Sequence, residues 1–269
     1  MAGPAVFVRE SGAGPRTVVL LHGYSDHGGT WCKVEPDLAE RYRVLTVDLP
    51  GFGRSSGRWK APVFDHYVDT VADLVADSTE PVAVVGNSLG AVTALAFASA
   101  HPNRTDRVVL SDMPGLAGIP RSWTQSARFP VDRVSRILSR PVPMPVMQRA
   151  IGEFYTRAAL YRPERMDEAT LTAFTANFAD RHQVDTMLRV GRTVVHELGK
   201  LPIPQMVHAL TMPTLLLWGA HDRITPARAS RRVVARPDRR VVIIPDAGHC
   251  PQLESPAEFL GAVLPFLER

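Results

Sequence analysis

The residue best placed to do chemistry is the serine of Gly86-Asn87-Ser88-Leu89-Gly90. This pentapeptide follows an apolar run, Pro81 to Val85, and opens a helix-length stretch, Leu89 to Ala100. Gly-x-Ser-x-Gly between a strand and a helix is a nucleophile elbow, which strains the serine backbone while the glycines make room for the adjoining strand and helix. The hydroxyl then projects from the C-terminal edge of a sheet, where a helix dipole favours developing negative charge. The five-residue pattern alone arises often by chance. Its placement between strand and helix is what makes it specific.

A serine hydroxyl is a poor nucleophile at neutral pH and needs a base. Of the nine histidines, His249 in Asp246-Ala247-Gly248-His249 lies after the last strand-like run and before the final helix, on a loop able to carry it to Ser88. His22, in Leu21-His22-Gly23-Tyr24, is better suited to bracing its loop. His66, His182, His196 and His208 fall in helical or linking stretches and read as surface or packing residues. The base in turn needs an acid to fix its tautomer and stabilise the imidazolium. Two aspartates follow strand-like runs: Asp222 in Trp218-Gly219-Ala220-His221-Asp222, and Asp112 after the run at Arg107. Asp48 and Asp246 read as turn residues. A tetrahedral oxyanion needs two preorganised donors. The backbone N–H of Leu89 follows the nucleophile, and that of Tyr24 lies on the loop after Leu21, its side chain towards the pocket.

The elements that must hold these residues are apolar runs of strand length: Thr17 to Leu21, Arg43 to Val47, Pro81 to Val85, Arg107 to Leu110, Thr214 to Trp218 and Arg239 to Ile244, with Val6 to Arg9 as a possible edge. They are β-branched-rich and nearly continuous, as in strands buried on both faces of a parallel sheet. Amphipathic stretches alternate with them at Thr30 to Arg41, Phe64 to Ser78, Leu89 to Ala100, Pro226 to Val234 and Pro256 to Leu267. Such alternation implies βαβ units with right-handed crossovers. Residues 113–200 break the pattern. They carry the proline cluster Pro141, Pro143 and Pro145, and then read as helices over Met147 to Ala159, Asp167 to Phe178 and Val184 to Leu198, Asp167 serving as an N-cap. The expected organisation is a core from 1–112 and 201–269 with a helical cap inserted at 113–200.

Composition narrows the function classes. A chain of 269 residues with 45% hydrophobic and 22% charged residues supports one sizeable core. Residues 113–200 hold 13 basic against 8 acidic residues within a net charge of +4. No nucleic-acid motif accompanies them, so a solvated helical surface is expected. No apolar run reaches membrane-spanning length and no signal-peptide pattern opens the chain, which points to a cytoplasmic protein with neither membrane nor nucleic-acid partner. Two cysteines, Cys32 and Cys250, make no disulfide framework, although both follow loops at the same sheet edge and could bridge. Metal-ligand spacings, phosphate loops and dinucleotide fingerprints do not occur, so neither metal nor cofactor is expected.

Five motifs together carry a family resemblance: His22-Gly23-Tyr24, Asp48-Leu49-Pro50-Gly51-Phe52-Gly53-Arg54-Ser55, Gly86-Asn87-Ser88-Leu89-Gly90, Trp218-Gly219-Ala220-His221-Asp222 and Gly248-His249. In this order and spacing the chain resembles the α/β-hydrolase superfamily over nearly its whole length, bacterial esterases and meta-cleavage carbon–carbon hydrolases in particular. The resemblance implies the α/β-hydrolase fold and the chain order Ser88, Asp222, His249, favouring Asp222 over Asp112 as the acid. Cys250-Pro251 replaces the family's aromatic after the base, and Arg181, Arg189 and Arg192 are candidates for the family's substrate-carboxylate arginine. Serine at position 88 sets aside the epoxide hydrolases and dehalogenases of this fold, which use aspartate there. The expectation is a serine hydrolase, monomeric or homodimeric, cleaving a small, largely apolar ester, with Trp123, Phe129, Met144, Met147 and Phe154 as lining candidates. Carbon–carbon hydrolysis of a vinylogous diketone acid, lactone or peracid chemistry, and triad-retaining ligand binding are the alternatives.

Overall fold

The computed structural model describes residues 6–55, 59–128, 141–234 and 236–269. The uninterrupted aliphatic runs form its centre, because only burial on both faces satisfies such strands. They are β2 (Thr17–Leu21), β3 (Arg43–Val47), β4 (Val82–Asn87), β5 (Thr105–Ser111), β6 (Thr214–Gly219) and β7 (Arg239–Ile244), with β1 (Val8–Ser11) at one edge. The sheet order is β1-β3-β2-β4-β5-β6-β7, parallel throughout except for the β1–β3 pair. Leu21 pairs with Gly86, Gly86 with Leu110, and Ser111 with Leu217. Strands β2, β4, β5 and β6 therefore end nearly level, and the loops that follow them share one rim. In open α/β sheets that rim is where ligands bind.

Alternate residues of each strand feed two cores. Val19, Leu21, Val84, Leu110 and Leu216 pack against α2 (Val63–Leu74) and α3 (Leu89–Ala100), through Phe64, Tyr67, Val92 and Leu95. Val18, Leu20, Val85, Val109 and Leu217 pack on the other face against Leu38 of α1 (Glu35–Ala39) and against Phe259, Val263 and Phe266 near the C-terminus. Helix α3 is buried nearly all round, as an alanine-rich helix apolar on every side must be.

Between β5 and β6 the described elements are helical: α4 (Arg121–Arg128), α5 (Met144–Ala159), α6 (Glu168–Ala176), α7 (Arg181–Leu198) and α8 (Ile203–Ala209). Pro145 sits in the first turn of α5, where a missing N–H costs nothing. Asp167 caps α6 by accepting from the Thr170 amide, and Asp180 with Gln183 forms a capping box on α7. After β7, α9 (Pro251–Glu254) and α10 (Pro256–Leu267) complete the chain.

Several expectations need correction. The stretch Thr30 to Arg41 splits into a 3-10 turn (Gly28–Trp31) and the short α1, which Pro36 opens. Pro226 to Val234 is 3-10 over Ala227–Arg232 rather than α-helical. Helices α4 and α8 carry no forecast from periodicity; α4 has no buried residue to produce one. Strand β7 lies at the sheet edge and exposes Val241 and Ile243, so its apolar run is not buried on both faces. Among the described residues no helix is long and apolar enough to cross a membrane.

Candidate active site

Ser88 sits at the turn between β4 and α3 with φ +54° and ψ −111°. The glycines around it are there for space. A Cβ on Gly86 would run into the Gly90 carbonyl, and one on Gly90 into the Leu21 carbonyl. The Ser88 amide donates to Ser111 O at 2.9 Å, which ties the elbow to β5. Among the described residues only Ser25, Ser88 and Asp112 combine a side chain with positive φ, and all three lie along the same rim. Strain of this kind gathers where surrounding structure enforces a functional geometry.

His249 and Asp222 come together as expected. The imidazole Nδ1 lies 2.8 Å from Asp222 Oδ2, and both residues are buried. Asp222 also accepts from the Ile224 amide at 2.7 Å, the Thr225 amide at 2.9 Å and the Thr225 hydroxyl at 2.6 Å. Burial raises a carboxyl, but the charge and hydrogen bond of His249 with those from Thr225 outweigh it and hold Asp222 below the usual carboxylate range. The Asn87 side chain donates to His249 O at 2.9 Å, joining the elbow to the loop that carries the imidazole.

His22 braces the loop after β2. Its Nε2 accepts from the Leu49 amide at 2.9 Å, so Nδ1 carries the hydrogen donated to Gly23 O at 2.7 Å. The Asp26 amide also reaches Gly23 O, at 3.4 Å. With that carbonyl held, a trans peptide turns the Tyr24 N–H the opposite way. Gly23 lies close against the elbow, since a Cβ there would stand 3.4 Å from Ser88 Cβ. The Leu89 N–H belongs to the first turn of α3 and has no intrahelical acceptor. The Tyr24 hydroxyl donates to Met187 O at 3.0 Å, and Gly191 of α7 leaves room for its ring.

These residues open into a cavity of about 670 Å³ between the sheet rim and the helices α4 to α7. Gly23, Tyr24, Ser88, Leu89 and His249 all line it, as do Trp123, Met147 and Phe154. Phe154 is 76% exposed and so marks the mouth. Met144 does not line the cavity. It stands one turn before Met147 and packs against the cluster of Tyr155, Phe174 and Phe178. Phe129 lies outside the described residues. Of the three arginine candidates, Arg192 lines the cavity, Arg189 pairs with Asp185 at 3.2 Å, and Arg181 donates to Val142 O. Arg149 and Arg157 of α5 face solvent and flank Glu153, as a solvated helix face would. The bridge between cysteines is not formed: Cys32 is exposed beside Thr170, while Cys250 is buried 3.3 Å from the Tyr155 hydroxyl.

Sequence reasoning missed the residues that bind the rim together. Thr225 and Asn87 are among them, and Glu254 is another, accepting from the Gly248, Tyr161 and Arg162 amides at 2.7, 2.8 and 3.0 Å. Tyr155 donates to Asp26 at 2.9 Å from across the cavity. No local pattern in the sequence singles these residues out. Asp112, Asp222 and His249 bring side-chain atoms within 4.8 Å of one another. Backbone and hydroxyl donors already take up the oxygens of both aspartates, so the cluster is a hydrogen-bond network and not a vacant ligand set.

The family model described as the alpha/beta hydrolase family matches residues 18–262. The chain belongs to that family. It is 31% identical over 271 residues to a pimeloyl-[acyl-carrier protein] methyl ester esterase of Chromobacterium violaceum, covering 98% of both chains. It is 30% identical to a 2-hydroxy-6-oxononadienedioate/2-hydroxy-6-oxononatrienedioate hydrolase of Cupriavidus pinatubonensis, over 97% of this chain and 90% of that one. Among solved structures, the enol-lactonase from Burkholderia xenovorans LB400 superposes with a TM-score of 0.80 at 19% identity, over 98% of this chain and 96% of that one. This last likeness shows the fold. For this alpha/beta hydrolase the relatives support hydrolysis as the activity.

Proposed function

We propose that this alpha/beta hydrolase is a serine esterase, cleaving a largely apolar carboxylic ester through an acyl-enzyme on Ser88 beneath a helical cap. The observation that carries this is a strained Ser88 lining the same apolar cavity as His249, whose Nδ1 is held 2.8 Å from a buried Asp222. With Nδ1 engaged by the acid, Nε2 is the nitrogen that takes the Ser88 proton. Attack on the carbonyl gives a tetrahedral oxyanion, which the N–H groups of Leu89 and Tyr24 receive. Its collapse expels the alcohol, protonated by His249. The same imidazole then activates water, which releases the acid and regenerates Ser88.

A cavity of about 670 Å³ exceeds the needs of a small ester and is in the range that encloses drug-sized ligands. The substrate class is therefore enlarged from small esters to those with a medium acyl chain or a ring. The methyl ester esterase relative favours ester chemistry. Arg192 in the wall, with the dienedioate hydrolase relative, favours carbon–carbon cleavage of an acidic substrate. The Asp26 carboxylate in the same wall opposes a second anion, and the ester reading stands first.

Initial rates on p-nitrophenyl esters of graded acyl length, for wild type beside Ser88→Ala, test this. Turnover that peaks at medium chain length and vanishes in Ser88→Ala is expected. A folded wild type inert on every ester, yet active on a dienoate diketone acid, would overturn the ester reading.

A further inference from the structure

Next to the His249–Asp222 pair lies a second carboxyl that the proposed chemistry does not use. Asp112 directly follows β5, at φ +50°, and is fully buried. Its Oδ1 accepts from the Gly219 amide at 2.9 Å and its Oδ2 from the Ser111 hydroxyl at 2.7 Å. Its carboxyl also lies within 4.8 Å of that of Asp222. The titratable groups facing it are Asp222 on the loop after β6, and His249 and Cys250 after β7. His249 is the one group among these able to become a cation, and Asp222 Oδ2 already lies 2.8 Å from its Nδ1. Burial and the Asp26 charge push the Cys250 thiol well up, so it contributes no charge.

Two buried carboxyls this close do not both ionise. The donors decide which keeps its proton. Asp222 collects His249, the Thr225 hydroxyl and two amides, whereas Asp112 has one amide and one serine hydroxyl. In agreement, burial first and the Asp222 charge second push Asp112 well above the ordinary carboxylate range.

We propose that Asp112 and Asp222 hold one negative charge between them, with Asp112 carrying the shared proton as a positioning residue for Asp222 and as its reserve. As a neutral acid, Asp112 donates to Asp222 and fixes its rotation towards His249 Nδ1. When Asp222 is made neutral, the like charge is gone and burial alone holds the proton on Asp112, against the pull of a neighbouring imidazolium. Asp112 then loses its proton to solvent, and a carboxylate persists within 4.8 Å of the imidazole. The kinetic consequences rest on the esterase reading; the charge sharing does not.

The test compares Asp112→Asn, Asp222→Asn and the double variant of the full chain by NMR titration of the His249 ring, which needs no turnover. Asparagine keeps the shape and a donor towards Asp222. In Asp112→Asn the His249 pKa is expected to stay within about a third of a pH unit, because no charge has been removed. Asp222→Asn should lower it modestly, and the double variant should drop it by about one pH unit or more beyond that. Ester turnover should fall a few-fold in Asp112→Asn, about 10²-fold in Asp222→Asn and about 10⁴-fold in the double variant, the loss typical of an acid-less triad. A His249 pKa lowered as much by Asp112→Asn as by Asp222→Asn would overturn the shared charge. A double variant matching Asp222→Asn would overturn the reserve. Absence of wild-type turnover with the expected titrations would sink the esterase reading and leave the shared charge standing.

Discussion

Replacing Tyr155 by phenylalanine removes one oxygen and leaves the ring stacked on Phe174, with centroids 4.0 Å apart. That oxygen donates to Asp26 Oδ2 at 2.9 Å from α5, the helix that covers the cavity. Asp26 is buried, and its other oxygen accepts only the neighbouring His27 amide, at 2.8 Å, among the bonds described. A hydrogen bond to a charged group contributes about 1.5–3 kcal/mol, and a buried carboxylate deprived of a donor also keeps its desolvation cost. Tyr155→Phe should therefore destabilise the fold by about 2 kcal/mol. For a urea m-value of about 3 kcal/mol/M this moves the unfolding midpoint down by about 0.7 M with m unchanged. In an Asp26→Ala background the hydroxyl can turn to Cys250 Sγ, 3.3 Å away, and the same substitution should cost about 0.5 kcal/mol or less. Urea unfolding of the four proteins yields a coupling of about 1.5 kcal/mol. A midpoint shift equal in the two backgrounds would refute the reasoning, since the hydroxyl would then act through something other than Asp26.

Two further substitutions probe the elements that hold the rim. Gly90→Ala places a Cβ against the Leu21 and His22 carbonyls, backbone that cannot step aside, and should lower stability by about 1–3 kcal/mol with loss of ester turnover, read by thermal unfolding and initial rates. Asp167→Ala removes the α6 cap, a loss of about 1 kcal/mol. Hydrogen bonds from the Thr170 amide and hydroxyl hold the Asp167 carboxyl down at about 2. Its contribution is thus complete above the ordinary aspartate pKa and is lost as pH falls through about 2, so urea midpoints of wild type and variant should converge across that interval.

The sheet and elbow were legible because each rests on a local signal. Val82–Val85 is aliphatic without interruption, Gly86 and Gly90 mark a turn too tight for side chains, and α3 follows at once. His249 and Asp222 were legible through their places after β7 and β6. What escaped was contact between distant parts of the chain. Asn87 and His249 are 162 residues apart, and Tyr155 and Asp26 are 129 apart; no periodicity encodes such pairs. Met144 and Met147 are one helical turn apart, yet only the second lines the cavity, because facing depends on how α5 docks. The polar helix α4 buries none of its residues and so left no stripe to read.

The helices between β5 and β6 are also part of the structure that holds His249. The Ala159 carbonyl at the end of α5 accepts the His249 amide at 2.7 Å. Tyr161 stacks on His221, next to Asp222, at 3.6 Å between centroids. Glu254 clasps the amides of Tyr161 and Arg162 with one oxygen and that of Gly248 with the other. These contacts position the loops of Asp222 and His249 from outside the sheet. Both members of the His249–Asp222 pair are buried, and their attraction strengthens as the local dielectric falls. Enclosure of the cavity and orientation of His249 are therefore one packing problem in this fold. An exchange of the helical segment that preserved only the cavity lining would lose the geometry proposed for catalysis along with Ala159, Tyr161 and Arg162.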